Sequence, residues 1–185
     1  MEEFVLVVQV CEVTEKVYNF NEYMYRLVKC KAETDEPFDT LIPIEAGVSV
    51  GDVISIEKCK LVRIDYEEKH IATAVRVDKM ESCEEGTKLS KYFNIPFIGL
   101  IKRHADSKVT VYGPDKMKFF KVKLQMRDLN RKPFVVTLLG FNGKATLLNS
   151  FDKEKEIIMG IATLKHRSNN LGYELALVNA TEYNA

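Results

Sequence analysis

Between Met117 and Arg127 the chain alternates: Phe120, Val122, Leu124 and Met126 stand at one parity, and Phe119, Lys121, Lys123, Gln125 and Arg127 at the other. A period of two is the pattern of a strand with one buried face. Applied to the first half, the same reading predicts strands over 4–13, 23–32, 38–44, 53–64 and 70–77. Between them lie a polar loop over 14–22, an acidic turn at 33–37 ending in proline, turns at 46–47 and 49–52, and a tight polar turn at 66–69. The second half is predicted to hold strands over 96–103 (extended by 108–112), 118–127, 134–139, 157–165 and 173–179. Gly113-Pro114-Asp115 and 128–133 read as turns, 140–143 as a break ending the third strand, and 144–151 as a short helix.

Each half therefore holds five strands, with its longest irregular piece between the third and the fourth, an internal repeat of one plan. Five antiparallel strands closing on themselves leave only short ladder edges exposed. Within about 90 residues that arrangement is the OB-fold, a five-stranded Greek-key barrel. The predicted class is all-β: two tandem OB-folds with at most short helices. Another small barrel or sandwich with the same strand count is the alternative. The polar, glycine-bearing stretch after Cys83 sets the predicted division: an N-terminal unit over 1–84, a linker over 85–90 and a C-terminal unit over 91–185.

Charge makes the two halves unlike. The whole chain is neutral, yet residues 1–85 carry 10 Lys/Arg against 19 Asp/Glu, and residues 86–185 carry 17 against 8. A basic half suits a polyanion, and an acidic half suits a different partner. Simple divergence between the halves, or attraction of one half for the other, is the rival explanation. The remaining composition, 46% hydrophobic and 29% charged, is ordinary for a globular protein. No apolar run approaches the roughly 18 residues of a membrane-spanning helix, and Met-Glu-Glu lacks the positive start of a secretory signal. Cys11, Cys30, Cys59 and Cys83 form no C-x-x-C pair, and His70, His104 and His166 stand apart from them. The expectation is an intracellular chain with no disulfide framework and no metal.

Residues 134–145, FVVTLLGFNGKA, resemble the third strand of replication protein A-type OB domains, which typically read apolar-x-Val-Thr-Leu-aromatic-Gly-x-x-Ala. Ile157–Ala162 and Tyr173–Leu177 are similar to the closing strands of that family, and 180–183 to its exit from the barrel. The resemblance covers 95–185; over 1–85 it extends only to strand order. It implies a non-catalytic single-stranded DNA binder of replication protein A or telomere end-binding type, nuclear, acting in replication, repair or telomere maintenance. The family often places a stacking ring just before the glycine, where this chain has Leu139. Phe141 takes that part only if the strand continues through it. Tyr173 is the counterpart of a second family aromatic.

Single-stranded nucleic acid offers base faces and phosphates, so its binders pair rings with cations. Phe119 supplies a ring on the outer side of its strand, with Lys121, Lys123 and Arg127 as cations. Arg131 and Lys132 extend the basic surface into the following turn. Lys165 and Arg167 lie in the loop expected to overhang the face of strands two and three, and Arg103 and Tyr112 in the loop opposite. The bland reading of these cations is solvated barrel surface, with Phe119 packed against the neighbouring domain. In the first half Tyr23, Tyr25, Lys29 and Lys31 share a parity with Leu27, leaving the sidedness open. That half, at net −9, would repel phosphate and is assigned a protein partner. There is no glycine-rich phosphate loop, nucleophile elbow or H-E-x-x-H, so neither catalysis nor a cofactor or small-molecule substrate is expected. The rival functions are an OB-fold interaction subunit of a DNA-maintenance complex, and a tandem-OB binder of duplex DNA or RNA.

Overall fold

The computed structural model describes residues 4–33, 36–66, 70–103, 107–127, 133–151, 156–167 and 172–183. Contacts divide the chain into two compact units, the first reaching Ile95 and the second beginning at Pro96. In the first unit, β1 (Leu6–Phe20), β2 (Tyr23–Lys31), β3 (Phe38–Pro43), β4 (Val53–Tyr66) and β5 (His70–Ser82) close in the order β1-β2-β3-β5-β4. The seam is the antiparallel pairing of Leu6 with Ile56 and of Val8 with Ile54. β3 and β5 run parallel, with Thr40 beside Val75. This is the OB strand order. Alternation places Val8, Val10, Val28, Ile42, Ile54, Ile56, Leu61, Val75 and Val77 inside, each at most 1% exposed. Burial of each contributes roughly 1.5–3 kcal/mol before the entropy of ordering is subtracted.

The polar stretch read as a loop, 14–22, is strand as far as Phe20. Register shifts between Val10 and Glu12, and between Val13 and Val17, absorb the irregular pattern as bulges. The turn is reduced to Asn21 and Glu22, both at positive φ (44° and 71°), which suits the twist of a tight hairpin.

The first barrel is sealed by the last residue of the expected linker and by a ring just beyond it. Ser90 donates its N–H to the Val7 carbonyl (2.9 Å) and accepts the Val7 N–H on its hydroxyl (2.9 Å), while its carbonyl takes the Glu33 N–H (2.8 Å). Phe93 is fully buried, its ring 5.0 Å from that of Phe38.

The second unit contains β6 (Asn94–Lys102) from Pro96 onward, β7 (Thr110–Tyr112), β8 (Met117–Arg127), β9 (Pro133–Phe141), α1 (Gly143–Ser150), β10 (Ile157–His166) and β11 (Tyr173–Glu182). Its sheet runs β6-β10-β11-β9-β8-β7, and a further β6–β8 pairing closes the ring. Without β7, a short strand added to β8, the order is that of the first barrel, again with a parallel pair between β9 and β11. The helix expected between the third and fourth strands is α1, which buries Ala145 and Leu148. In the first unit the same connection holds a single 3-10 turn, Ile44–Ala46.

Gly140, expected to break the third strand, lies inside β9 instead. The glycine serves packing: a Cβ there would come within 2.8 Å of the Lys144 carbonyl oxygen, so α1 rests its first turn directly on this strand.

All four cysteines are free. Desolvation by burial pushes the thiols of Cys30 and Cys59 up to about 12. A raised thiol pKa favours the neutral folded form, so this contribution to stability is present below the ordinary value of 9.0 and is lost as pH rises toward about 12. At pH 8, Ellman's reagent is expected to titrate the half-buried Cys11 and Cys83 in the native protein, and all four thiols after denaturation. Rapid reaction of Cys30 or Cys59 in the native state would contradict this.

Candidate nucleic-acid interface

The alternation of β8 holds in three dimensions. Phe120, Val122, Leu124 and Met126 point inward and are at most 3% exposed. Lys121, Lys123 and Arg127 are exposed on the outer side, and Phe119 is half-buried there. β9 pairs with this strand from Pro133 to Phe141, setting Phe119 beside Phe141, Lys121 beside Leu139, Lys123 beside Thr137 and Arg127 beside Pro133. β7 lies on the other edge of β8, with Thr110 beside Phe119 and Tyr112 beside Met117. The result is a row of three rings. Tyr112 meets Phe119 edge-on at 6.1 Å between centroids, and Phe119 meets Phe141 at 5.3 Å. Tyr112 is 51% and Phe141 38% exposed.

Phe141 belongs to this row because Asn142 holds the end of the strand. The Asn142 N–H donates to the Lys118 carbonyl (2.8 Å), and its Oδ1 accepts the Lys118 N–H (3.2 Å). Its backbone sits at φ 53°, ψ −120°, a conformation that costs a non-glycine residue of order 1–3 kcal/mol. Sequence reasoning missed this residue; the Asn-Gly pair at 142–143 was its one local signal.

Next to the rings lies an apolar floor. Lys121 pairs with Leu139, Leu139 lies beside Ala176 on β11, and Ala176 pairs with Thr163 on β10. Leu139, Ala176 and Thr163 are each no more than 9% exposed. The position where a family ring was expected is thus part of the floor, and the ring two residues on stands beside it. Lys165 is exposed two residues beyond Thr163, with Glu174 as its register partner.

The other candidate residues are placed differently. Tyr173 pairs with His166 at the end of the β10–β11 hairpin, their rings edge-on at 5.2 Å, at the parity of the buried Leu175 and not of Lys165. Arg167 is exposed, its N–H closing the hairpin on the Gly172 carbonyl (3.2 Å). Arg131 and Lys132 lie outside the described residues.

Arg103 is committed to the fold. Its Nη1 donates to the Asn149 carbonyl (2.9 Å) and its Nη2 to the Asn149 Oδ1 (2.7 Å), at the end of α1. The guanidinium also lies over the buried Phe120 ring at 5.2 Å. A cation here satisfies helix carbonyls and complements the helix dipole. Arg103→Met is therefore expected to lower the stability of the second barrel by about 2–3 kcal/mol in urea denaturation. The affinity of the folded protein for DNA should not change.

In the first barrel the corresponding outer face is filled from within. Leu27 pairs with Leu41, Leu41 lies beside Arg76 on β5, and Val62 pairs with Ala74. The ends of both long hairpins close over them: Phe20, Tyr25, Leu27, Leu41, Val62, Ile64 and Ala74 form one buried cluster, with Tyr18 and Ala72 against it. This settles the sidedness of β2. Tyr25 is a core ring, edge-on to Phe20 at 5.8 Å, and desolvation by burial raises its phenol pKa. Arg76 lies on the same face, 6% exposed, and is held by Asp78 through Nε–H (2.7 Å) and Nη2–H (3.1 Å).

No protein-family description matches the chain, and no curated protein matches it. Among solved structures, the single-stranded DNA binding protein from Thermus aquaticus aligns with 98% of this chain and 92% of its own, at 14% identity and a TM-score of 0.66. A deletion variant of that protein aligns with 98% of this chain and 94% of its own, at 13% identity and a TM-score of 0.67. A replication protein A heterotrimer bound to single-stranded DNA covers 97% of this chain, with 48% of its own covered, at 10% identity and a TM-score of 0.34. At these identities the likeness concerns architecture, and the architecture is two OB-folds in tandem.

Proposed function

We propose that the protein binds single-stranded DNA, without catalysis, on the outer face of β8 and β9 in the second barrel. The observation that carries this reading is the row Tyr112–Phe119–Phe141, continued along the same strand by Lys121 and Lys123. Rings without hydrogen-bond readout accept any base, and flanking cations take the phosphates, so binding should be tolerant of sequence. The similar fold of a single-stranded DNA binding protein supports the same reading. The filled face of the first barrel supports assigning DNA to the second barrel and a protein partner to the first. A nuclear role in replication, repair or telomere maintenance goes with this reading as its biological setting.

Fluorescence anisotropy with a short oligothymidylate, titrated across salt, tests the proposal. Affinity is expected to fall as salt rises. Lys121→Glu with Lys123→Glu should weaken binding and flatten the slope of log K against log salt by roughly 0.7 for each phosphate no longer neutralised. No binding at low salt, or binding indifferent to this double substitution, would sink the proposal. Tighter binding of duplex or of RNA would move the assignment to those ligands.

A further inference from the structure

The connection between the third and fourth strands differs between the two barrels, and in the first barrel an opening lies beside it. In the second unit the connection between third and fourth strands is α1, whose Ala145 and Leu148 are fully buried. In the first unit that connection is a 3-10 turn ending at Gly47, and a cavity of about 250 Å³ lies beside it. Its walls are Val13, Val28, Ile42, Ile44 and Val48, with Arg26 among them. The registers Val13–Val28 and Arg26–Ile42 place these side chains at the parity of the barrel interior, so the cavity is the open end of the core. Arg26 is a half-buried cation in that apolar wall. Its one hydrogen bond goes to a neutral group, from Nη1 to the Thr14 carbonyl (3.3 Å), and no carboxylate pairs with it among the described residues. Val17, the register partner of Arg26, and Met24, two residues before it, are 40% and 53% exposed and extend the apolar lining outward.

We propose that this opening is a docking site for a peptide segment of a partner protein, one that inserts a bulky apolar side chain next to a carboxylate. The inference rests on the protein-partner part of the functional reading and gives it a place. A space of about 250 Å³ open to solvent suits one or two side chains of an extended segment. The charge decides the neighbour. A guanidinium with no counter-ion among the described residues, set in an apolar wall, recognises a carboxylate by charge-assisted hydrogen bonds. A poly-anion such as nucleic acid is disfavoured by the net −9 of residues 1–85.

The test uses the full chain with 13C-labelled Ile and Val methyls and two probes, the capped tetrapeptides acetyl-Gly-Phe-Glu-Gly-amide and acetyl-Gly-Phe-Gln-Gly-amide. The acidic peptide is expected to give saturable shifts confined to the methyls of Val13, Val28, Ile42, Ile44 and Val48. It should bind roughly tenfold more tightly than the neutral one. Arg26→Met keeps the apolar stem and should abolish that preference, while Val48→Trp should block both peptides. Shifts spread over both barrels, or equal affinity for the two probes in the unsubstituted chain, would overturn the inference; the second result depends on no variant folding. Oligothymidylate anisotropy on the same samples keeps the two claims apart. DNA binding without peptide binding removes the docking site alone, and peptide binding without DNA binding removes the DNA reading alone.

Discussion

Replacing Phe119 and Phe141 together by alanine is expected to weaken oligothymidylate binding about 30- to 20,000-fold, with little change in its salt dependence. Base–aromatic stacking contributes roughly 1–3 kcal/mol per base, and the two rings are register partners that act on the same stretch of strand. The salt slope counts phosphates, which Lys121 and Lys123 would still hold. Loss of affinity with an unchanged slope separates the rings' contribution from that of the charges, which an affinity measurement alone does not do. Phe141 is 38% exposed and Phe119 half-buried, so the truncations remove little of the core, and circular dichroism should show an intact fold. Affinity within threefold of the parent would remove the rings from the interface. Asn142→Ala should act on the same quantity indirectly, by freeing the end of β9 that sets Phe141 beside Phe119.

The largest effect on stability is expected at Phe93. Its side chain is fully buried against Phe38, and truncating a buried phenylalanine to alanine costs about 3–5 kcal/mol. Urea denaturation of Phe93→Ala, followed on the first barrel's own probes, should show that loss as a lower midpoint with the slope preserved. The two units need not unfold together, so probes in each are required. An unchanged midpoint in the first barrel would show that Phe93 is dispensable to it.

Strand identity was legible wherever one face is buried and the other wet, as in β8, where alternation alone gave both faces. It failed where a residue answers to a distant neighbour. Gly140 reads locally as a breaker because glycine weakens strands, yet it is there because α1 packs on it. The parity of β2 was unreadable because Leu27 and Val28 are both buried, one under the hairpin ends and one inside the barrel. Arg103 carries the same charge as Lys121, and nothing near it in sequence tells that its guanidinium serves the end of a helix 46 residues on. Of the candidate interface, the cations and Phe119 were visible from the pattern of a single strand. The company of Phe141 and Tyr112 was not, since it depends on registers among three strands.

The late closure of the first barrel by Ser90 has a consequence for synthesis. β1 finds its partner β4 about 50 residues later, at Ile56, and its last hydrogen bonds come from Ser90, 83 residues beyond Val7. Pairings this distant are slow to form, because loop closure costs entropy before the contacts repay it. On the ribosome, the Val7 N–H and carbonyl of β1 therefore wait for Ser90 to leave the exit tunnel, by which time the first strand of the next barrel is following it. In that interval the start of β1 is a β-branched edge without its last cover, and it is a part of the nascent chain that a chaperone would have reason to hold.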